Sequence, residues 1–487
     1  MRQKVSRRWV LGALASGVAL PVFAEAPATS LLPRPRGEKA RVVPQDASAL
    51  IAAAKLGGAV GYLVADAVSG QVLEAVQGDL HLPPASVAKT ITTLYALEKL
   101  GQSHRFGTRL VATGPVQAGK VQGDLVLVGS GDPTLDTDRL GDMAAALAAR
   151  GVRGVTGRYL IYAGALPLID RIDAEQPEFV GYNPALSGLN LNYNRVNFEW
   201  RRSGKGYDVG MDARAERFVP VVKMARVKVV QRDAPLFTYA AGQGTEEWTV
   251  AATALGKAGS RWMPVRKPAV YTAEVFATLA QAQGITLPPA TMIASPPQGQ
   301  TLVEDFSDPL PIVLRDMLKF STNLTAEVMG LSASGAMTLA SSGAQMTAWA
   351  AERMGLSAAF VDHSGLESGS RMSAADMVKA LVAGRSGALP GLLKNIGMRD
   401  AKGKVIEGHP VQVLAKTGTL NFVSGLAGYV VPPGGRQLAF AIFCADVPRR
   451  DALPMADREM PPGGPEWVKR AKLMQGRLIS RWAGIYG

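Results

Sequence analysis

Ser86-Val87-Ala88-Lys89, Ser321-Thr322-Asn323 and Lys416-Thr417-Gly418 each occur once in the chain, in that order. Ser321 lies 235 positions after Ser86, and Lys416 lies 95 positions after Ser321. Taken singly, each has an ordinary explanation. Ser86 is acceptable at the start of any helix, Ser321 or Asn323 serves as a helix cap, and Lys416 with Gly418 fits an edge strand with a bulge. Taken together, the three demand a fold that gathers remote points of the polypeptide around one site. The first gap is also long enough to hold a domain of its own.

The patterning on either side of that gap supports this arrangement. Residues 61–66 and 72–75 read as a hairpin through Ser69-Gly70. Pro83-Pro84 opens a loop, and a helix over 86–100 is stopped by Gly101. Helical periodicity returns at 271–283, 309–320 and 373–383, and strands are expected at 412–415, 426–431 and 437–443. Between these flanks, β-type runs recur at 108–113, 124–129, 158–163, 189–199, 221–230 and 246–252. The expectation is an α/β (α+β) catalytic domain, discontinuous over 27–104 and 266–487, whose sheet draws on both ends of the chain. A mostly β insertion would occupy 105–265.

Ser86 and Lys89 are three apart on a helix, so their side chains share one face. A serine hydroxyl needs a base to become a nucleophile. A lysine can be that base only when neutral, which burial and a neighbouring cation favour; Lys416 is the candidate cation. The helix N-terminus adds a positive field where an oxyanion would develop. Ser321 and Asn323 sit beyond the 309–320 helix, where a hydroxyl can relay a proton and an amide can hold a carbonyl. Gly418 lets a substrate backbone lie alongside the strand, and Lys416 with Thr417 and Thr419 offers a carboxylate pocket.

With these residues in view, the chain resembles the low-molecular-mass penicillin-binding proteins of the D-alanyl-D-alanine carboxypeptidase/endopeptidase family, in a form with a large insertion after the nucleophile helix. The S-x-x-K, S-x-N and K-T-G set is shared with serine β-lactamases. The likeness extends to 127–135 with its Ser130-Gly131-Asp132-Pro133 turn, to Leu191-Asn192-Tyr193-Asn194-Arg195, to Asp362-His363-Ser364-Gly365-Leu366, and to 415–429. The resemblance implies a penicillin-binding/β-lactamase-like fold, an antiparallel sheet flanked by helices. It implies Ser86 as nucleophile, Lys89 as general base, Ser321 as proton relay, Asn323 as substrate-orienting amide and Lys416 as electrostatic anchor. The backbone N–H groups of Ser86 and Thr419 would form the oxyanion hole. Thr322 departs from the family pattern, which often has an acid there. The implied partners are the D-Ala-D-Ala ends or D-Ala–diaminoacyl crosslinks of peptidoglycan, and β-lactam antibiotics; no cofactor or metal is called for.

Two other readings use the same residues: a serine β-lactamase, and a non-catalytic wall-binding protein. For the first, the lactamase class that uses a glutamate and a positioned water needs a suitable acid between the second and third signatures, where Glu327, Glu352, Glu367 and Glu407 lie without a recognisable pattern. The second is disfavoured by the intact set of reactive residues. Other hydrolase chemistries lack their motifs, since no G-x-S-x-G or H-E-x-x-H is present. His363, adjacent to Asp362 and Ser364, is expected to be structural, because three consecutive residues do not generally assemble a triad.

The ends of the chain speak to location. Arg2, Lys4, Arg7 and Arg8 precede an apolar run over 9–23, too short to span a bilayer comfortably and expected to be a signal peptide over 1–24. Ser6-Arg7-Arg8 also resembles a twin-arginine signal. An exported, periplasmic protein follows, and the single Cys444, in an apolar run, then reads as a small buried hydrophobe. Four of the net +13 charges belong to the signal segment, leaving +9 to attract an anionic polymer or surface. Scattered basic residues and export exclude nucleic acid. Apolar positions 467, 471, 474, 478 and 482 interleaved with lysines and arginines describe a closing helix packed on the domain or, as the alternative, a peripheral membrane contact.

Overall fold

The computed structural model describes residues 46–487; the expected signal peptide lies outside them. The segments on either side of the long gap build one six-stranded antiparallel sheet. Its order is Lys394–Asn395, Gln412–Leu420, Val423–Val431, Leu438–Ala445, Ala59–Asp66 and Val72–Val76. The N-terminal strand thus pairs with the last strand of the chain, as the expected use of both ends required.

Leu438–Ala445 shows how this sheet is held. All eight of its residues are buried, and alternate side chains enter different cores. Leu438, Phe440, Ile442 and Cys444 join the core beneath the helices Ala47–Ala54 and Gly464–Ile485. Ala439, Ala441, Phe443 and Ala445 join the core shared with the helices Lys89–Leu100, Leu310–Phe320, Asn323–Ser334, Leu339–Met354 and Ala374–Gly384. A strand covered on both faces carries an unbroken apolar run, which is why 438–445 shows no polar alternation. Cys444 is free and buried, as expected of a small hydrophobe.

Of the two readings of the last helix, the packed one holds. Trp467, Ala471, Met474, Leu478 and Trp482 are all buried against the sheet. The apolar stripe that a membrane-surface helix would insert is therefore occupied. Among the described residues no helix is long and apolar enough to cross a membrane.

Between the two halves lie a five-stranded mixed sheet and three smaller sheets. The five-stranded sheet runs Ala290–Met292, Tyr159–Tyr162, Leu125–Gly129, Gly107–Ala112 and Gln300–Phe306. Two of these strands come from beyond 265. The helix Pro268–Ala282 also buries Tyr271, Val275, Phe276 and Leu279 in this core and not in the catalytic one. The change in packing therefore falls near 306, about 40 residues past the boundary drawn from β-type runs. The inserted region is also less purely β than expected. Thr137–Ala149 is a helix, with the Asp136 side chain accepting from Arg139 N–H as its cap.

Candidate active site

The Lys89–Leu100 helix is preceded by a tight 3₁₀ turn, Ala85–Ala88, which carries Ser86. What lets this turn sit against the sheet is a pair of facing glycines. Gly418 and Gly425 are cross-strand partners. A Cβ on Gly418 would meet Pro84 O at 2.9 Å and Ser86 N at 3.1 Å, and one on Gly425 would meet Val87 Cγ2 at 2.9 Å. The sheet is bare where the turn rests.

Lys89 is fully buried, and its ammonium has three partners: Ser86 Oγ at 3.0 Å, Asn323 Oδ1 at 2.8 Å and Ser364 O at 2.8 Å. Lys416, also buried, donates to Ser321 Oγ at 2.9 Å and to Thr417 O at 2.7 Å. Ser321 ends the Leu310–Phe320 helix in the left-handed conformation, φ 60° and ψ 38°, and Asn323 begins the next helix two residues later. That sharp reversal turns both side chains toward the lysines. The Asn323 amide donates in turn to Tyr182 O at 3.0 Å. Ser86, Ser321, Asn323 and Thr419 line one cavity of about 610 Å³.

Seven of the eight expected residues thus gather at one place. Thr417 is the exception. Side chains alternate along Gln412–Leu420, so Lys416 and Gly418 face the Ser86 turn, while Thr417 lines a different cavity beside the Gly464–Ile485 helix. K-T-G lies within the strand and not after it, and of the two threonines only Thr419 lines the cavity with Ser86.

Burial pushes Lys89 down to about 8, against the opposing pull of the Glu327 and Asp362 carboxylates. The repulsion expected between the two lysines is present, and it shows on the other partner. Lys416 is itself pushed well below its ordinary value, by burial first and then by the charges of Lys89 and Lys394. Two ammonium groups in one buried site repel, and one of them is readily neutral.

Three contributors escaped the sequence reading. Glu327 is fully buried and accepts from His363 N–H at 3.0 Å and Ser364 N–H at 2.8 Å, fixing the loop whose Ser364 carbonyl holds Lys89. Burial and the nearby Asp362 push its carboxyl up. Asp362 accepts from Leu366 N–H at 2.7 Å and Ser370 Oγ at 2.9 Å, closing the same loop. The resemblance at 362–366 was the available signal, yet it marked the run without its role. His363 is structural, as expected. Its Nε2 meets Ser342 Oγ at 2.6 Å, and burial pushes the imidazole down to about 3.

The inserted region supplies the third contributor, a wall of the cavity. Glu175, Gln176 and Tyr182 line it, from a segment with little regular structure. Buried Arg266 holds that segment by donating to Asp170 O at 2.9 Å, Asn183 O at 2.7 Å and Glu178 O at 2.7 Å. The other runs that carried the resemblance are structural too. Asn192, Tyr193 and Asn194 are consecutively left-handed, and Asn194 donates to Ala185 O and Asn190 Oδ1. Asp132 pairs with Arg139 at 2.8 Å.

Comparison with known proteins identifies the family and the fold. The model of the D-Ala-D-Ala carboxypeptidase 3 (S13) family matches residues 44–459. A D-alanyl-D-alanine carboxypeptidase of Actinomadura sp. (strain R39) is 30% identical over 448 residues, spanning 82% of this chain and 80% of that protein. Penicillin binding protein 4 (dacB) of Haemophilus influenzae superposes with a TM-score of 0.70 at 19% identity, covering 89% of this chain and 97% of that one. Its complex with a β-lactam gives 0.68 at 19% identity, covering 91% and 99%. The structural likeness establishes a penicillin-binding-protein fold, and the matching family model and the relative together place the chain in the D-Ala-D-Ala carboxypeptidase 3 (S13) family of peptidases.

Proposed function

We propose that the chain hydrolyses the D-Ala-D-Ala ends and D-Ala–diaminoacyl crosslinks of peptidoglycan through an ester on Ser86. The observation that carries this reading is the contact between a buried, easily neutralised Lys89 and the Ser86 hydroxyl, 3.0 Å apart at the edge of the cavity. Ser86 Oγ attacks the scissile carbonyl carbon while Lys89 takes its proton. The oxyanion forms beside the backbone N–H groups of Ser86 and Thr419, and the C–N bond then breaks. The departing amine takes a proton through Ser321, which Lys416 supports from beneath. Asn323 orients the acyl peptide, and Thr419 with the Lys416 charge receives the terminal carboxylate. Water then cleaves the ester by the reverse use of the same base. A β-lactam presents a strained amide to the same serine and is retained as a slow ester.

The lactamase class that deacylates through a glutamate and a positioned water needs a free carboxylate from between the second and third signatures. Glu327 has both oxygens occupied by backbone N–H groups, and Glu352, Glu367 and Glu407 do not line the cavity.

On the packing described above, the catalytic domain comprises 46–104 and 307–487, with the inserted region over 105–306 supplying one wall of the cleft. The basic start and apolar 9–23 run support export to the periplasm, which cell fractionation of the full-length chain tests.

The activity is tested by treating the protein with a labelled penicillin and mapping the modified peptide. The label is expected on Ser86, with free D-alanine released from D-Ala-D-Ala peptides and only slow nitrocefin turnover. Label on another residue, or rapid repeated nitrocefin hydrolysis, overturns the reading.

A further inference from the structure

On the face of the six-stranded sheet turned away from Ser86, a second cavity of about 470 Å³ opens. It lies between Gln412–Leu420, Val423–Val431, the segment 396–403 and the Gly464–Ile485 helix. Its inner wall is apolar, built from Leu426, Val468 and Ile479. Its rim carries Arg399, Lys402, Lys469 and Lys472. The three lysines are exposed and Arg399 is half-buried. None of the four has a carboxylate within ion-pair distance among the described residues, and no Asp or Glu lines the cavity. The nearest acid in sequence, Asp400, is committed to its own turn, accepting from Lys402 and Lys404 N–H. Gln475 is satisfied by Ser424.

Four uncompensated cations around an apolar hollow select for a particular chemistry. A compact inorganic anion would lose hydration against the apolar wall without replacement. A neutral tail would fill the hollow and leave the cations unpaired. The volume falls within the range of roughly 300–1,000 Å³ usual for small-molecule sites, too small for a helix or a bilayer patch.

We propose that this cavity binds a single-chain anionic amphiphile, with its tail against Leu426, Val468 and Ile479 and its carboxylate or phosphate head among Arg399, Lys402, Lys469 and Lys472. The four cations line this cavity and not the catalytic cleft, which it adjoins. Gly425 lines the cavity and lies against the Ser86 turn on its other face, and Pro465 and Val468 line both cavities, so the two sites adjoin at the start of the Gly464–Ile485 helix.

The test uses the protein without its signal segment and calorimetric titration with dodecanoate and with dodecyl phosphate, each below its micellar concentration. Dodecyl maltoside and inorganic phosphate serve as tail-only and head-only controls. Both anionic probes are expected to bind one to one, at least about tenfold more tightly than either control, a difference of ~1.4 kcal/mol. The tighter of the two identifies the head group as carboxylate or phosphate. The double variant Lys469→Glu, Lys472→Glu is expected to lose at least about tenfold in affinity. Gly476→Leu should do the same by filling the cavity, since a Cβ there meets nothing closer than Arg399 Cδ at 3.5 Å. Labelled-penicillin acylation confirms that each variant is folded, and if one fails to fold the other decides. Equal binding of dodecyl maltoside, or unchanged affinity in the folded variants, overturns the proposal.

Discussion

Gly418 faces Gly425 across two neighbouring strands, and the Ala85–Ala88 turn that carries Ser86 rests on the bare backbone they leave. A side chain at either position must displace that turn, because the opposing atoms include the Pro84 carbonyl. Gly418→Ala is expected to slow acylation by a labelled penicillin by roughly 10²-fold, the usual consequence of misplacing a reacting group by about an ångström. Gly425→Val, which overpacks against Val87, should in addition destabilise the fold by about 1–3 kcal/mol. Stopped-flow acylation and thermal melting read the two effects separately, and wild-type acylation in Gly418→Ala would show that the turn is positioned otherwise.

As the proposed base, Lys89 should govern how acylation depends on pH. Only its neutral form accepts the Ser86 proton, and burial brings its pKa to about 8. The acylation rate should therefore rise as pH increases toward 8 and level off above it. Lys89→Ala should abolish acylation while stability changes by no more than about 2 kcal/mol, since it removes a cation whose burial was itself unfavourable. Residual acylation with the same pH profile would remove Lys89 from the base role.

Lys416 should discriminate between substrates by their terminal charge. Replacing it with Met is expected to lower kcat/KM for peptides with a free terminal carboxylate by at least about tenfold more than for amidated ones, as loss of a charge-assisted contact requires. Thr419→Val should act in the same direction, while Thr417→Val, on the other face of the strand, should leave this ratio unchanged. Steady-state kinetics on the matched pair of peptides measures it.

His363 makes the fold sensitive to acid. Its folded pKa is about 3, below the ordinary value of 6.5, so the unfolded chain binds a proton first as pH falls. The stability it confers is fully present above pH 6.5 and is lost progressively toward pH 3, by at most ~1.4 kcal/mol per pH unit. His363→Asn should flatten this dependence in denaturant titrations between pH 6.5 and 4, even if it lowers stability at neutral pH. An unchanged slope would show that other groups carry it.

Local patterning was sufficient for most of the catalytic layer. The helices at 309–320 and 373–383 and the strands at 426–431 and 437–443 appear within a few residues of their expected bounds, because each has a strong apolar period and a clear stop. The change of packing near 306 was not legible for the opposite reason. Pro268–Ala282 and Gln300–Phe306 are ordinary elements locally, and only their packing partners show which core they serve.

The chemistry divides along the same line. Sequence alone singled out which groups meet, since a hydroxyl three residues before an amine at the start of a helix lies on the same face as it. Tertiary structure alone decided that Lys89 is driven toward neutrality by burial, that Ser364 and Glu327 hold it in place, and that Thr417 turns away. Desolvation and close contact depend on which atoms from distant segments fill the space around a group, and residues separated by hundreds of positions acquire that relation only when the chain folds.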